Sequence, residues 1–198
     1  YYGWPLKLKI ISMKDAEMII RDVVKILNTD DVIMVGVGCV VYSVLELARE
    51  NGINVVLGGL GAEEIFAGYE RHRKKYIEDP EKVHVECWDG LEDLYAHDLE
   101  RDGKIAEYFK ARLLAPFLDD MMIRCAMKID PKLKVSKTNK KIILQDLALS
   151  MHLGSEFSLR KKKAAQYGSY FHQAIGKLAK KQGFKYIKEY LHSLLSAK

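Results

Sequence analysis

The sequence predicts an α/β fold, in which a parallel sheet with flanking helices is followed by a mostly helical second half. Strand-like segments at residues 6–11, 32–37 and 54–57 alternate with segments of helical periodicity. From about residue 74 onward, nearly every segment has helical periodicity, with short interruptions at glycine or proline. We therefore expect a single domain over residues 1–198, with an α/β part at 1–73 and a helical part at 74–198.

The first two elements are predicted to be a strand and an amphipathic helix. At residues 6–11, leucine and isoleucine alternate with lysine, which is typical of a strand. A helix is expected at residues 14–27, because Ser12 and Asp15 have the spacing of a capping box and the apolar residues that follow recur on one helical face. This order of strand and helix opens the expected parallel sheet.

Two further strands frame a second helix in the predicted sheet. The short apolar run at 32–37 is expected to be a strand, and residues 41–50 a helix that ends at Asn51-Gly52. A third strand is expected at residues 54–57, where the apolar run from Val55 to Leu57 is typical of a strand buried on both faces. The helices of the second half are expected at residues 91–100, 104–114, 119–128 and 140–151, with two more after residue 169.

A glycine-rich turn, Gly58-Gly59-Leu60-Gly61, connects the third strand to a helix expected to begin near Ala62. Its glycines let the backbone approach a bound group, and the first amides of the helix are unpaired donors, so the turn has the outline of a phosphate site. Glu63 and Glu64 follow at once. Two carboxylates would repel a phosphate unless a divalent cation lay between them, which favours a Mg²⁺-nucleotide or Mg²⁺-pyrophosphate.

The same turn also has a purely structural interpretation. Carboxylates in a first helical turn interact favourably with the helix dipole whether or not a ligand is present, and glycine-rich turns between strands and helices are common. The dinucleotide pattern G-x-G-x-x-G fails at Glu64, and no G-x-x-x-x-G-K-[ST] occurs, which argues against Rossmann and Walker-type binding. The position supports a site, since ligands of parallel sheets lie beyond the carboxyl ends of the strands.

Composition favours a cytoplasmic protein. We find no apolar run long enough to span a bilayer and no secretory leader, so no membrane association is expected. Cys39, Cys87 and Cys125 are odd in number and far apart, which fits reduced thiols better than disulfides or a zinc site. The net charge of +5 suits an anionic substrate. The basic runs at 71–75 and 160–163 lack interleaved aromatics, which argues against nucleic acid.

Five segments, in the right order and with family-like gaps, resemble motifs of asparagine synthetases. The segments are residues 58–69 (S-G-E-G-A-D-E-x-F-x-G-Y), 98–102 (N-L-x-R-D), 116–119 (P-F-L-D), 141–144 (K-x-x-L) and Arg160-x-Lys162 followed by Ala165-Gln166-Tyr167 (R-x-K). Together they cover nearly the whole chain. The resemblance is to the synthetase domain of that family, an ATP pyrophosphatase of the adenine-nucleotide α-hydrolase type.

The resemblance implies roles for residues of this chain. The nucleotide would be bound by Gly58, Gly59, Gly61, Tyr69 and Lys162. Glu63 and Glu64 would hold Mg²⁺, and Lys162 would stabilise charge on the α-phosphate while a carboxylate attacks it. Arg101 would contact the acidic substrate or the pyrophosphate. As alternatives, Arg101 can be a salt-bridge partner and Tyr69 a packing aromatic.

The implied function is ATP-dependent amidation or ligation by an AMP-forming ligase, through an acyl-adenylate and with release of pyrophosphate. ATP and Mg²⁺ would be the cofactors and a small carboxylate such as aspartate the substrate. Ammonia would arrive free or from a glutaminase partner.

Departures from the motifs keep a second interpretation open, that of a degenerate, non-catalytic member that binds a nucleotide or a protein. Leu60 replaces the first Glu of the motif, Glu63 replaces its Asp, and Arg112 and Leu114 stand where the family has E-x-R before P-F-L-D. The family's S-G-G-x-D-S pyrophosphate loop and the strand before it do not occur in these residues. One sheet edge should then be uncovered and apolar, which favours a homo-oligomer or a partner chain.

Overall fold

A computed structural model describes residues 3–196. Helices account for 65% of it, and the described residues contain one small parallel sheet with strands β1 (Val55–Leu57) and β2 (Arg112–Leu114). In chain order the α-helices are α1 (Met13–Leu27), α2 (Val32–Glu50), α3 (Ala62–Ile65), α4 (Glu70–Glu78), α5 (Lys82–Leu94), α6 (Glu100–Tyr108), α7 (Asp120–Met127), α8 (Pro131–Lys134), α9 (Ile142–Ser150), α10 (Ser155–Ser158), α11 (Ala165–Gly168), α12 (Phe171–Lys181) and α13 (Ile187–Ser196). A π-helical turn covers Tyr95–Leu99, and a 3-10 turn covers Pro116–Leu118.

The described residues fall into two compact units. Among the described residues, unit 1 draws on 3–56, 101–112 and 163–196, and unit 2 on 57–100 and 113–162. The proposed single domain, with its division at residues 73 and 74, stays a prediction.

Unit 1 is packed around α2, which contacts α1, α11, α12 and α13. Ile20 and Val23 of α1, Val35 of α2 and Ile175 of α12 are fully buried in its core. A Cβ at Gly38 would lie only 2.9 Å from Val23 Cγ1, so the glycine allows α1 and α2 to approach closely. Helix α1 begins within one residue of its predicted start, and its Ser12–Asp15 capping box is confirmed.

The predicted strand at residues 6–11 is wrong, because this segment has no regular secondary structure. Leu6, Leu8 and Ile10 are 76%, 79% and 96% exposed. The lysine between them, Lys9, forms ion pairs with Glu46 at 2.8 Å and Glu50 at 2.6 Å, both on α2. The alternating pattern thus belongs to a segment tied to a helix by its lysine, with its apolar side chains facing solvent.

The predicted strand at residues 32–37 is also wrong, since these residues form the first turns of α2. Asp31 caps the helix by accepting hydrogen bonds at Oδ1 from the backbone N–H groups of Ile33 (2.9 Å) and Met34 (2.8 Å). A short apolar run does not distinguish a strand from a buried helix by periodicity. The helix that begins with this run continues to residue 50, and a segment of 19 residues is typical of a helix and too long for an ordinary strand.

The full length of α2 also changes the expectation about membrane spans. With 19 residues, most of them apolar, it is long and apolar enough to cross a bilayer by length and composition alone. A core helix meets the same criterion, and α2 packs against four helices of unit 1. That the protein has no membrane association stays a prediction.

Strand β1 forms where it was predicted, but it is not buried on both faces. Val55 is 40% and Leu57 70% exposed. Within the described residues β1 has one neighbouring strand, β2, and the Gly58 N–H that follows β1 donates to the Leu114 carbonyl at 2.8 Å. The helix expected at 104–114 ends earlier and gives way to β2. The uncovered, apolar sheet edge and the association that it favours stay predictions.

Unit 2 is built from short helices over two small apolar clusters. One contains Ala67, Val83, Cys87 and Val135, and the other contains Ile65, Phe66 and Ala126. Helix α3 lies against α5 and α7 and carries the residues that follow the glycine-rich turn. These clusters form the apolar base on which the polar residues of the next section are arranged.

Candidate functional site

The glycine-rich turn ends at Gly61, a position at which any side chain would be strained. Its φ is +94°, in the left-handed region, and a Cβ here would lie 2.3 Å from Leu118 Cδ2. Helix α3 begins at the next residue, as predicted. The turn thereby fixes where Glu63 and Glu64 leave the backbone.

Glu63 receives two lysines on a single oxygen. Its Oε1 lies 3.0 Å from Lys141 Nζ and 2.9 Å from Lys162 Nζ. Burial raises the pKa of this carboxyl, but the hydrogen bonds and charges of Lys162 and Lys141 outweigh it, and the net pKa is lowered. We call these three residues the Glu63–lysine cluster.

The backbone around the Glu63–lysine cluster is shaped to hold it. A Cβ on Gly68 would lie 2.9 Å from Glu63 Cγ and 3.1 Å from Lys141 Cδ, so the absent side chain leaves room for both. Lys141 precedes α9 with a φ of +55°, which is unusual for a residue other than glycine. A conformation of this kind costs on the order of 1 kcal/mol and is often found at functional sites.

Tyr69 gathers two cations on its ring. Lys162 Nζ lies 4.6 Å and Arg71 Cζ 4.4 Å from the ring centroid, within the range of cation–π contacts. Arg71 Nε in turn pairs with Glu86 Oε1 at 2.8 Å. Tyr69 therefore connects the Glu63–lysine cluster to helix α4, and Lys162 has a second support besides Glu63.

Glu64 differs from Glu63 in its surroundings. It is only 3% exposed, and burial raises its pKa, which the nearby charges of Glu63 and Asp98 raise further although a hydrogen bond with Tyr69 opposes them. A Cβ on Gly90 would lie 2.9 Å from Arg71 Nη2 and at an ordinary contact distance of 3.4 Å from Glu64 Cγ, so this glycine makes room for the Arg71 guanidinium beside Glu64. Glu63 is thus the more accessible carboxylate of the pair, and Glu64 the interior one.

The fit of these residues to Mg²⁺ follows from that difference. Among residues 3–196, no three His, Cys, Asp or Glu side chains cluster as a metal site would. Mg²⁺ is usually held by one or two carboxylates together with substrate phosphates and water. A cation that arrived with phosphates would have Glu63 as its accessible carboxylate of the pair, in competition with Lys141 and Lys162.

Two basic side chains, His72 and Lys134, are fully buried in unit 2. His72 Nδ1 accepts the Tyr69 backbone N–H at 3.1 Å, and burial together with the charges of Arg71 and Lys134 lowers its pKa to about 4. Lys134 is fully buried, with Nζ 3.9 Å from Met127 Sδ, and burial lowers its pKa. Each of these burials favours the neutral form of the side chain.

The structure brings together part of the predicted site. Gly61, Glu63, Glu64, Tyr69 and Lys162 all lie in unit 2 around Tyr69 and the turn, with Gly58 and Gly59 in the turn itself. The remaining predicted residue, Arg101, lies in unit 1, where it is 4% exposed and its Nε is 2.7 Å from Asp102 Oδ1. Its assignment to substrate stays a prediction.

Sequence reasoning missed several residues of this site. Lys141 was visible as the lysine of the K-x-x-L match, so its role had a signal that was not used. Arg71 was seen only as part of a basic run. His72, Lys134, Gly68 and Gly90 carried no local signal, because their importance depends on contacts between distant parts of unit 2.

Comparison with known proteins agrees with the resemblance. The asparagine synthase family model matches residues 1–86 and 76–196. The chain is 35% identical, over 96% of its length, to a putative glutamine-hydrolyzing asparagine synthetase 1 of Methanocaldococcus jannaschii, and covers 41% of that protein. It is 33% identical over 58% of its length to a probable asparagine synthetase of Dictyostelium discoideum, and 30% identical over 65% to asparagine synthetase 2 of Lotus japonicus. It spans 20% and 22% of these two relatives. The chain belongs to the asparagine synthase family.

Proposed function

We propose that this chain provides the nucleotide-dependent site of an AMP-forming ligase, which activates a small carboxylate with Mg²⁺-ATP and transfers it to an amine. The observation that carries the proposal is the convergence of Lys141 and Lys162 on Glu63, directly after a glycine turn at the end of β1. Such a group of cations suits the phosphates of ATP. We also propose that the sheet and its helices are a portion of an adenine-nucleotide α-hydrolase fold.

The reaction assigned to the site has two steps. A carboxylate oxygen attacks the α-phosphorus of ATP, a new P–O bond forms, and the bond to pyrophosphate breaks. An amine then attacks the acyl carbon, a C–N bond forms, the C–O bond to AMP breaks, and the nitrogen loses a proton to a base or to water. Negative charge grows on the phosphorus and the leaving pyrophosphate in the first step, and fixed positive charges stabilise it.

Each residue has a role that its surroundings support. Gly58, Gly59 and Gly61 would let the backbone lie against the AMP portion. Lys162, whose side chain is 44% exposed, would reach the α-phosphate, and Lys141 the pyrophosphate. Glu63 would bind Mg²⁺, which supplies positive charge to the phosphate oxygens when bound. These lysines act through charge and need no proton transfer.

The substrates are proposed from the family. The relatives' names call them asparagine synthetases and glutamine-hydrolyzing, which for this chain suggests aspartate as the carboxylate and ammonia as the amine. Ammonia would come free or from a glutaminase.

Leu60 supports a second candidate, a non-catalytic member of the family. It is half-buried and stands where the family motif has a Glu, so it can neither accept nor donate a proton. If Leu60 limits the enzyme, the adenylation step should proceed more readily than the transfer to ammonia.

Exchange of labelled pyrophosphate into ATP tests the proposal directly. On the full-length gene product with Mg²⁺, we expect exchange that depends on added aspartate, measured against matched reactions with no carboxylate and with glutamate. Asparagine formation should be slower than exchange. If no carboxylate supports exchange, the non-catalytic interpretation replaces the enzyme. If asparagine forms at about 1 to 10 per second, Leu60 is immaterial.

A further inference from the structure

Two lysines sharing one carboxylate oxygen is an arrangement that an anionic ligand would also produce. We propose that the Glu63 carboxylate fills an anion subsite between Lys141 and Lys162, and that a pyrophosphate or phosphate group enters by displacing it. This inference rests on the proposed function of the same site. Ligand binding would then be an exchange of one anion for another, rather than the filling of an empty charged pocket.

The first argument is electrostatic. Both ammonium groups lie within 3.0 Å of Glu63 Oε1, so they lie close to one another. Two like charges at such a distance repel unless an anion neutralises them. The arrangement therefore requires a negative group at this point, and a phosphate oxygen can satisfy both lysines as a carboxylate oxygen does.

The second argument is access. The Lys162 side chain is 44% exposed and the Lys141 side chain 29%, whereas the Glu63 side chain between them is 17% exposed. A ligand from solvent therefore meets the ammonium groups more readily than the carboxylate. Lys162 also lies in an irregular segment, residues 159–164, between α10 and α11.

The third argument is that the lysines keep other supports when Glu63 moves away. Lys162 Nζ lies 4.6 Å from the centroid of the Tyr69 ring, and this contact does not involve Glu63. Lys141 is positioned by its place before α9 and by the space that Gly68 leaves for its side chain. These supports keep both lysines in place while an incoming anion takes over from the carboxylate. A ligand with adjacent anionic groups, such as pyrophosphate, matches two fixed cations better than a single carboxylate does.

The test is metal-free binding of inorganic pyrophosphate, measured by isothermal titration calorimetry in the presence of a chelator. Glu63→Gln keeps the size of the side chain and removes the competing charge. We expect this variant to bind pyrophosphate on the order of tenfold more tightly than the parent chain. Glu63→Asp, whose carboxylate is drawn back by one methylene, should show a smaller gain, and adding Lys141→Ala to Glu63→Gln should remove the gain.

Glu70→Gln is the matched control. Glu70 also pairs with a lysine, Lys140 at 3.4 Å, and with Arg73, but it lies outside the Glu63–lysine cluster. The control changes the net charge by the same amount, so it should leave pyrophosphate affinity within about twofold of the parent if the effect is local. Circular dichroism of each variant checks that it is folded.

The outcomes separate this inference from the proposed function. If Glu63→Gln binds metal-free pyrophosphate no more tightly than the parent, or if Glu70→Gln gives the same gain, the exchange of anions is wrong. That result leaves carboxylate-dependent ATP exchange to be judged by itself. If Glu63→Gln binds pyrophosphate more tightly but the full-length protein supports no exchange of pyrophosphate into ATP, the anion subsite is confirmed and the proposed adenylation reaction is wrong.

Discussion

The two units bury charged side chains in different ways. In unit 1, the buried Arg101 and Asp102 lie 2.7 Å apart and compensate each other. In unit 2, Glu64, His72 and Lys134 are buried, and burial shifts the pKa of each toward its neutral form. Burial of this second kind reduces stability and is characteristic of functional sites. Unit 1 therefore has the features of a packing scaffold, and unit 2 those of a site.

The largest effect is expected for Lys162→Ala, which removes the charge that we propose stabilises the transition state of adenylation. Adenylation should slow by about 10²- to 10³-fold, while the affinity for ATP falls much less. Pyrophosphate exchange and equilibrium binding measure the two quantities. Lys161→Ala, the neighbouring exposed lysine, is the control and should change neither. Equal turnover by Lys162→Ala and the parent would show that Lys162 does not stabilise the transition state, and that the charges of unit 2 do not mark an adenylation site.

The next largest effect is a pH dependence of stability that comes from His72. Its folded pKa of about 4 lies below the ordinary value of 6.5, so the unfolded chain binds the proton more readily between these values. The free energy of unfolding is therefore unaffected by His72 above pH 6.5. It decreases by about 3 kcal/mol as the pH falls from 6.5 toward 4, because the unfolded chain then binds a proton that the folded chain does not.

Urea unfolding between pH 4 and pH 7 measures this contribution. The difference between the parent and His72→Gln isolates His72 from the carboxyls that titrate in the same range. His97→Gln, at an exposed position, provides the control. A parent and a His72→Gln variant with the same pH slope would mean that His72 is not held neutral by the fold.

Lys134→Met should stabilise the protein. The folded pKa of Lys134 is lowered, so burial of this amine reduces stability at neutral pH, and stability recovers as pH rises toward 10.5. Met has a similar length and no charge, and we expect a gain of about 1 to 2 kcal/mol at pH 7 that shrinks at higher pH. Thermal unfolding at pH 7 and pH 10 tests this. A loss of stability in Lys134→Met would indicate that the amine has a favourable role in the interior of unit 2.

The smallest effects come from two glycines, one in each unit. Gly103 on α6 has open space around its missing Cβ, and Gly103→Ala should stabilise unit 1 by about 0.5 to 1 kcal/mol through helix propensity. Gly68→Ala would crowd Glu63 and Lys141, so it should weaken ATP binding by about threefold to tenfold, since 1.4 kcal/mol is tenfold. Thermal unfolding and calorimetry measure the pair. Similar behaviour of both variants would remove the distinction between scaffold and site.

Local patterns predicted the elements whose signals are contained in their own residues. Helix α1 was found because its cap and its apolar face lie in one stretch of sequence. Strands at 6–11 and 32–37 were wrong because alternation and apolar runs do not reveal what lies beside a segment. In the structure the first segment is held by Lys9 to α2, and the second is the beginning of α2 itself.

The site was predicted in part for a similar reason. Glu63 and Lys162 were found through motifs, although their ion pair joins residues far apart in the chain. Lys141 is separated from Glu63 by 78 positions, and its positive φ has no signature in the sequence. His72 and Lys134 depend on burial by several elements of unit 2. Motif resemblance thus supplied part of the chemistry, and tertiary contacts supplied the residues that position it.

The cysteines give each unit its own internal reporter of opening. Cys39 is buried in unit 1 and Cys87 in unit 2, and burial raises the pKa of both thiols, to about 11 for Cys87. Since the thiolate is the reactive form, neither should react with a maleimide or Ellman's reagent until its surroundings open. Cys125 is exposed and should react at once. Timed alkylation followed by peptide mass spectrometry would therefore record the opening rates of the two units in the unaltered chain. The reaction of Cys125 would provide the reference rate for an accessible thiol.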